Sequence, residues 1–270
     1  MKMIIAHTPD PDDAFMFYAM FENKIKTSFE YEQVVKDIET LNIEAINGLY
    51  DVTAISANGY MRVSDKYDLT ASGASFGISY GPIVVAKKNI DLKNAVIGDP
   101  GIYTSSYLLY RMFNDSKEYK EIKFDKITDE ILKGTIDAGI LIHDEQLKYQ
   151  DKGLIKILDL YDQWKDYAGD LPVPLGFNAI RKSLSMEDKK KYREDFENSI
   201  KYAFEHENDA VKYAMKYSRY DDFELERKFI KMYVNDLSLD FGDSGKKALQ
   251  KYYQKAYERK LINKFEPVIV

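Results

Sequence analysis

The chain of 270 residues contains no cysteine and only three histidines. Without cysteine there can be no disulfide, no thiolate nucleophile and no sulfur-ligated zinc, and the composition fits a reducing compartment. The histidines are far apart and form no His-x-x-x-His pair, so a transition-metal centre has little to be built from. No apolar run approaches the roughly 18 residues of a bilayer crossing, and the amino terminus has no cationic segment followed by an apolar stretch and a cleavage site. These features point to a cytoplasmic protein. A positive excess is missing too: the formal charge is -6, which gives no global attraction for nucleic acid. The lysine run Lys189-Lys190-Lys191 is followed by Arg193, Glu194, Asp195 and Glu197, the mixture of a solvated helix face. Neither Gly-x-Gly-x-x-Gly nor Gly-x-x-x-x-Gly-Lys-Ser/Thr occurs, which weakens any nucleotide-cofactor reading.

What the chain does have is a plan used twice. Residues 45–51 lead through Gly48 and Asp51 into the apolar run 52–55 and stop at Ser56; residues 132–137 lead through Gly134 and Asp137 into 138–142 and stop at His143. Each reads as helix, Gly-x-x-Asp turn, buried strand and then a polar side chain. The openings match as well. The strand 3–6 runs into His7-Thr8-Pro9-Asp10 and a helix from Ala14, and the strand 95–98 runs into Asp99-Pro100-Gly101 and a helix from about Thr104. Two α/β lobes of similar plan bind ligands at the carboxyl ends of their strands, so Ser56 and His143 are expected to face one cleft.

Further strands and helices are expected at 15–21 (helix), 29–35 (strand) and 38–47 (helix). The glycine-punctuated stretch Gly73 to Pro82 leads into a strand at 83–86 and forms the first crossover between lobes. Leu171-Pro172-Val173-Pro174-Leu175-Gly176 makes a stiff return strand. Ser185 caps a helix carrying Tyr192, Phe196, Ile200 and Phe204 at helical spacing, and three more helices follow near 208–217, 222–235 and 244–260. The fold class is therefore α/β, a two-lobed clamshell with a double crossover of the type II periplasmic-binding-protein kind. Lobe 1 comprises residues 1–86 and 176–270, with the helical carboxyl-terminal region packed on it, and lobe 2 comprises 87–175. Two crossings favour a hinge that closes over a small ligand.

His143, just past a buried strand, is the best general base, because an imidazole titrates near neutrality. It can equally be a strand-end histidine satisfied by a neighbouring carboxylate. His7 is expected to pair structurally with Asp10, Asp12 and Asp13, and His206 to lie on the surface. The hydroxyl-rich helix start at Thr104-Ser105-Ser106 suits an anion or ordinary capping, and Ser56 is a ligand contact or a backbone-bonded strand end. Gly-x-Ser-x-Gly occurs around Ser75 and Ser79, but Pro82 and a strand follow where a nucleophile elbow requires a helix. The carboxyl-terminal tyrosines read as packing, with Tyr80 and Tyr103 as possible site residues.

Taken in order, Asp51 to Ser56, Ser72-Gly73-Ala74 through Gly81-Pro82, Pro100-Gly101 with Thr104, Asp137-Ala138-Gly139 through Ile142-His143, and Pro172 to Gly176 resemble the 1,4-dihydroxy-6-naphthoate synthase family of the futalosine route to menaquinone. The resemblance implies a cofactor-free, lyase-type cleavage of cyclic dehypoxanthine futalosine into 1,4-dihydroxy-6-naphthoate and a sugar-derived fragment. His143 then takes the place of the proton-accepting histidine, and Ala54, Ile55, Ser56, Thr104 and Ser105 match the substrate-contacting stretches. Ser72, Gly73, Asp10 and Tyr80 complete the candidate substrate contacts; the implied partner is a small anionic or polar molecule, with no metal. The chain departs from the family's Ser-Pro-Cys-Pro-Asn-Asp at His7 to Asp13, and it has Ala54 where a lysine is common. A solute-binding or sensor protein of the same fold, or a chorismate dehydratase, are the alternatives.

Overall fold

The computed structural model describes residues 1–219 and 221–270. Its first sheet is built from β1 (Lys2–His7), β2 (Glu30–Val35), β3 (Val52–Ser56), β4 (Tyr67–Leu69), β5 (Ser75–Gly77) and, from much later in the chain, β11 (Val173–Arg181); α1 (Pro11–Phe21), α2 (Ile38–Ile46) and α3 (Ala57–Tyr60) lie between these strands. The second sheet contains β6 (Ile83–Ala86), β7 (Val96–Asp99), β8 (Glu118–Glu121), β9 (Ala138–Leu141) and β10 (Ile155–Asp159), connected by α4 (Ser105–Phe113) and α5 (Ile127–Lys133) and followed by α6 (Leu160–Ala168). Five helices close the chain: α7 (Met186–Glu205), α8 (Glu207–Ala214), α9 (Phe223–Tyr233), α10 (Asp236–Leu239) and α11 (Gly242–Glu258).

The duplicated plan becomes a duplicated topology. In the first sheet β1 lies between β2 and β3, parallel to both, and β11 runs antiparallel beside β3. In the second, β7 lies between β8 and β9, parallel to both, and β6 runs antiparallel beside β9. The Gly-x-x-Asp turns act alike. Gly48 and Gly134 both take the left-handed conformation that ends a helix (φ +65° and +80°). Asp51 then accepts the backbone N–H of Ile4 at 2.9 Å, and Asp137 accepts that of Val96 at 2.8 Å. Each aspartate thus ties its strand to the neighbouring one and fixes the register, which brings Ser56 and His143 to equivalent strand ends.

The antiparallel fourth strands shift the lobe boundaries. β6 pairs wholly within the second sheet, and all of β11 pairs within the first. The expected division after residue 86 therefore leaves β6 with the first lobe although it pairs in the second sheet, and the division after residue 175 cuts through β11. Pairing moves the first crossover to the segment 78–82, before β6, and the second to just before Val173. The expected helix at 15–21 begins earlier, at Pro11, because Pro11 occupies the first helical turn, where its missing N–H costs nothing.

α7, α8 and α9 pack on α1, joining Phe15, Phe17, Tyr192, Phe196, Ile200 and Val211 in one core. α11 departs from the expectation that all the late helices cover lobe 1. It packs on both β11 and α4, and one continuous apolar cluster runs from Tyr67 and Phe177 through Tyr252 to Ile97, Ile140 and Trp164. The Tyr253 hydroxyl donates to the carbonyl of Ala57 at 2.8 Å and the Tyr252 hydroxyl to that of Ser105 at 2.9 Å, one contact to each side of the cleft. Among the described residues no helix is long and apolar enough to cross a membrane.

Candidate active site

A cavity lies between the two sheets, enclosing about 660 Å³ of empty space with its solvent-filled mouth included. The two strand–loop–helix units open onto it with their helix starts. Thr8, Asp12 and Asp13 come from the start of α1, and Thr104, Ser105 and Ser106 from the start of α4. Strand ends supply Ala54, Ile55, Ser56, Ile142 and His143; the crossovers supply Gly73, Ser75, Pro82, Leu175, Gly176 and Phe177. Among the described residues no lysine or arginine lines it.

His143 sits at φ +60°, a left-handed conformation that costs a non-glycine residue roughly 1 kcal/mol or more. It follows β9 directly and turns the chain into a short 3₁₀ segment. Its Nδ1 lies 3.3 Å from Oδ2 of Asp10. Its Nε2 is buried and has no partner among the described residues. The Phe124 ring packs edge-on against the imidazole at 4.9 Å. Burial, reinforced by the Arg219 guanidinium, pushes the imidazole pKa down to about 3, so the ring is neutral at neutral pH.

Asp10 is itself buried and backed by Arg219, which pairs with Asp144 and approaches Asp10 to 3.6 Å while lying over the Phe124 ring. Burial raises the Asp10 pKa, and the Arg219 cation opposes that rise. The result is a relay across the lobes, from Arg219 in the carboxyl-terminal region through Asp10 at the start of α1 to His143 after β9.

Seven of the expected site residues meet at this cavity: His143, Ala54, Ile55, Ser56, Gly73, Thr104 and Ser105. Three do not reach its wall. Asp10 stands behind His143 and touches the imidazole. Ser72 is buried beneath the surface of the cavity, where the fold draws it inward with the strained turn at Gly73 (φ +74°). Tyr80 donates its hydroxyl to the carbonyl of Met232 and is committed to packing on Tyr233. Tyr103 is likewise outside: its N–H donates to Glu39 at 3.1 Å and its ring carries Arg62.

Capping and ligand contact turn out to be compatible at α4. Thr104 accepts from the N–H of Tyr107 and donates to the carbonyl of Gly101 at 2.7 Å. Ser105 accepts from the N–H of Ala57 at 2.8 Å and donates to the carbonyl of Leu175. The Thr104 hydroxyl is therefore used in capping and that of Ser105 in tying the lobes together, while the N–H groups of Ser105 and Ser106, at the first turn of a helix that lines the cavity, have no intrahelical acceptor. Ser56 is positioned from below: Asn42 accepts from its N–H at 2.9 Å and donates to its hydroxyl at 3.1 Å.

His7 is structural, but its partners are not the neighbouring aspartates. Nδ1 donates to the carbonyl of Thr8 at 2.7 Å, Nε2 meets the Gln33 amide at 2.7 Å, and the ring stacks on Phe17. Asp13 accepts from Thr8 instead. His206 is exposed and stacks on Tyr202. Ser75 lies in a strand, with its hydroxyl 3.4 Å from Asp12, and β6 follows rather than a helix, which removes the nucleophile-elbow reading. Among the described residues no group of three or more His, Cys, Asp or Glu is arranged to hold a metal ion.

Sequence reasoning missed Gln146, Tyr233, Arg219 and the exposure of Asp12 to the cavity. Tyr233 corrects the reading of the late tyrosines as packing only: it lines the cavity, and its hydroxyl accepts from Gln146 at 2.8 Å. No local signal marks it, because α9 reaches the cleft through its packing on α1, α8, β5 and the 3₁₀ segment that begins at His143.

Comparison with known proteins agrees with this architecture. The profile of a family described as menaquinone biosynthesis matches residues 3–258. A 1,4-dihydroxy-6-naphthoate synthase of Thermus thermophilus is 30% identical over 258 residues, covering 95% of this chain and 94% of its own. A protein of the same name from Streptomyces coelicolor is 27% identical, covering 97% and 95%. A crystal structure of a protein from Archaeoglobus fulgidus superposes with a TM-score of 0.94 at 46% identity, over 97% of this chain and 98% of that one. The ligand-binding component of an ABC-type import system from Staphylococcus aureus shares the fold at 14% identity, with a TM-score of 0.73 over 98% and 94% of the two chains.

Proposed function

The chain belongs to the menaquinone-biosynthesis family, and from that membership we propose that it cleaves cyclic dehypoxanthine futalosine to 1,4-dihydroxy-6-naphthoate, with His143 as the general base. The observation that carries the assignment is the buried imidazole on the cavity wall, with Nε2 unpartnered and Nδ1 against Asp10. A neutral ring in that setting accepts a substrate proton at Nε2. The Asp10 carboxylate holds the ring's tautomer and stabilises the imidazolium that forms.

The rest of the cavity supplies orientation. The start of α1 already holds the Asp13 carboxyl, whereas the first turn of α4 carries no acid and, with Tyr107 capped by Thr104, leaves the N–H groups of Ser105 and Ser106 without an intrahelical acceptor. A substrate carboxylate is therefore received at α4, and Ser56, held by Asn42, fixes a polar group from the other lobe. Ile38, Ile55, Leu175 and Phe177 provide apolar walls for a ring system and exclude water from the reacting bond. No metal or cofactor has a role in this reading, and the compartment is the cytoplasm.

Incubation of the purified protein with cyclic dehypoxanthine futalosine and, separately, with chorismate, followed by mass analysis, tests the proposal. Formation of 1,4-dihydroxy-6-naphthoate from the first is expected. Dehydration of chorismate, or recovery of both compounds unchanged, would replace it with one of the alternatives.

A further inference from the structure

The mechanism above leaves one buried titratable group on the cavity wall without a task. Asp12 is only 7% exposed. Its Oδ2 lies 3.4 Å from the Ser75 hydroxyl, and its Oδ1 is buried with no protein partner. The neighbouring acids are provided for: Asp13 accepts from the N–H and the hydroxyl of Thr8 at 2.9 and 2.8 Å, and Asp10 stands against His143 and Arg219. Among the described residues no cation lines the wall that Asp12 shares.

Tyr233 lines the same cavity, with its ring fixed by Tyr80 and Phe229 at centroid distances of 5.0 and 4.7 Å. Because its oxygen already accepts from Gln146, its own O–H is left to donate.

We propose that Asp12 works as an un-ionised carboxylic acid and forms, with the Tyr233 hydroxyl, a pair of hydrogen-bond donors for a substrate oxygen that becomes negatively charged when His143 removes a proton. Burial, with Asp13 and Asp10 close by, pushes the Asp12 pKa well up, and burial together with Asp12 raises that of Tyr233. Both groups thus keep their protons at neutral pH. With Oδ2 facing Ser75, Oδ1 carries the Asp12 proton, and a carboxylic acid can donate where a carboxylate can only accept.

The inference rests on the naphthoate-forming reading, in which ring oxygens become phenolic as the ring aromatises. The proton passes to Nε2 of His143, the electron pair it leaves is delocalised onto the oxygen, and the two donors stabilise that charge without transferring their own protons. The balance is one imidazolium and one oxyanion.

Infrared difference spectroscopy on the full chain tests this. Wild type minus Asp12→Asn at neutral pH is expected to show the C=O stretch of a protonated carboxyl. Saturation with 1,4-dihydroxy-6-naphthoate is expected to shift that band. Asp12→Ala and Tyr233→Phe should each lower kcat on the order of a hundredfold, with a smaller change in KM, and Asp12→Asn, which restores an N–H donor, should recover part of the loss. Absence of the band, or a band that does not move when naphthoate is bound, overturns the inference. Failure of naphthoate to bind at all strikes the underlying reading instead.

Discussion

Oδ2 of Asp10 lies 3.3 Å from Nδ1 of His143, a carboxylate from the beginning of α1 set against an imidazole from the end of β9. The two residues follow strands of different sheets, so this contact forms only where the two lobes meet. Asp10 places a carboxyl where the imidazolium of the proposed mechanism needs one.

Asp10→Asn keeps the shape of that contact and removes its charge. We expect kcat to fall by roughly a hundredfold or more, since the imidazole loses the partner that sets its tautomer and stabilises its protonated form. Steady-state kinetics with an unchanged circular dichroism spectrum would establish this; wild-type kcat would show that Asp10 has no part in orienting His143.

His143→Ala should likewise cost on the order of a hundredfold or more in turnover with folding intact. The ring's own titration gives a second measurement. Its folded pKa, near 3, lies below the unfolded value of 6.5, so between these values the unfolded chain binds the extra proton and this residue makes stability rise with pH. Nitrogen NMR should find the imidazole neutral down to about pH 5. A protonation midpoint close to 6.5 would contradict the buried environment.

Glu39 works in the opposite direction. Burial raises its pKa from 4.5 to about 7 although it accepts from Tyr103 and Asn42. The folded state therefore holds more protons between those values. The stability contributed is complete below about 4.5 and is lost as pH rises through about 7. Glu39→Gln should flatten that part of the stability–pH curve, as read from melting temperatures; an unaltered slope would assign it to other groups.

Gly73 lines the cavity at φ +74°, and a Cβ there would lie 2.0 Å from the Phe196 ring and 2.6 Å from the Asn178 amide. Gly73→Ala should destabilise by on the order of 3 kcal/mol, combining backbone strain with overpacking. Gly134→Ala shares the positive φ but meets nothing within 4 Å, so about 1 kcal/mol is expected. Equal losses in chemical denaturation would show that packing at Phe196 is not the deciding factor.

Much of the site was legible because it is built from local rules used twice. A glycine that ends a helix, an aspartate that pins the next strand and a polar residue at that strand's end are encoded within a dozen residues, so Ser56 and His143 could be placed on one cleft before any coordinates. The start of α4 was legible for the same reason. Ser72 and Tyr80 were misplaced because adjacency in sequence to a cavity-lining segment does not fix which way a side chain leaves a tight turn.

Sequence by itself determined the two α/β units, their strand ends and the imidazole at one of them, since hydrophobic period, capping and turn chemistry act between near neighbours. Only the tertiary structure decided that Asp10 rather than a nearby acid meets His143, that Tyr233 and Gln146 reach the cleft from α9 and the loop after β9, and that α11 ties both lobes together. Those contacts join distant parts of the chain. They depend on how packed helices set the spacing of the two sheets, and on which carboxylates that packing leaves without water or a cation.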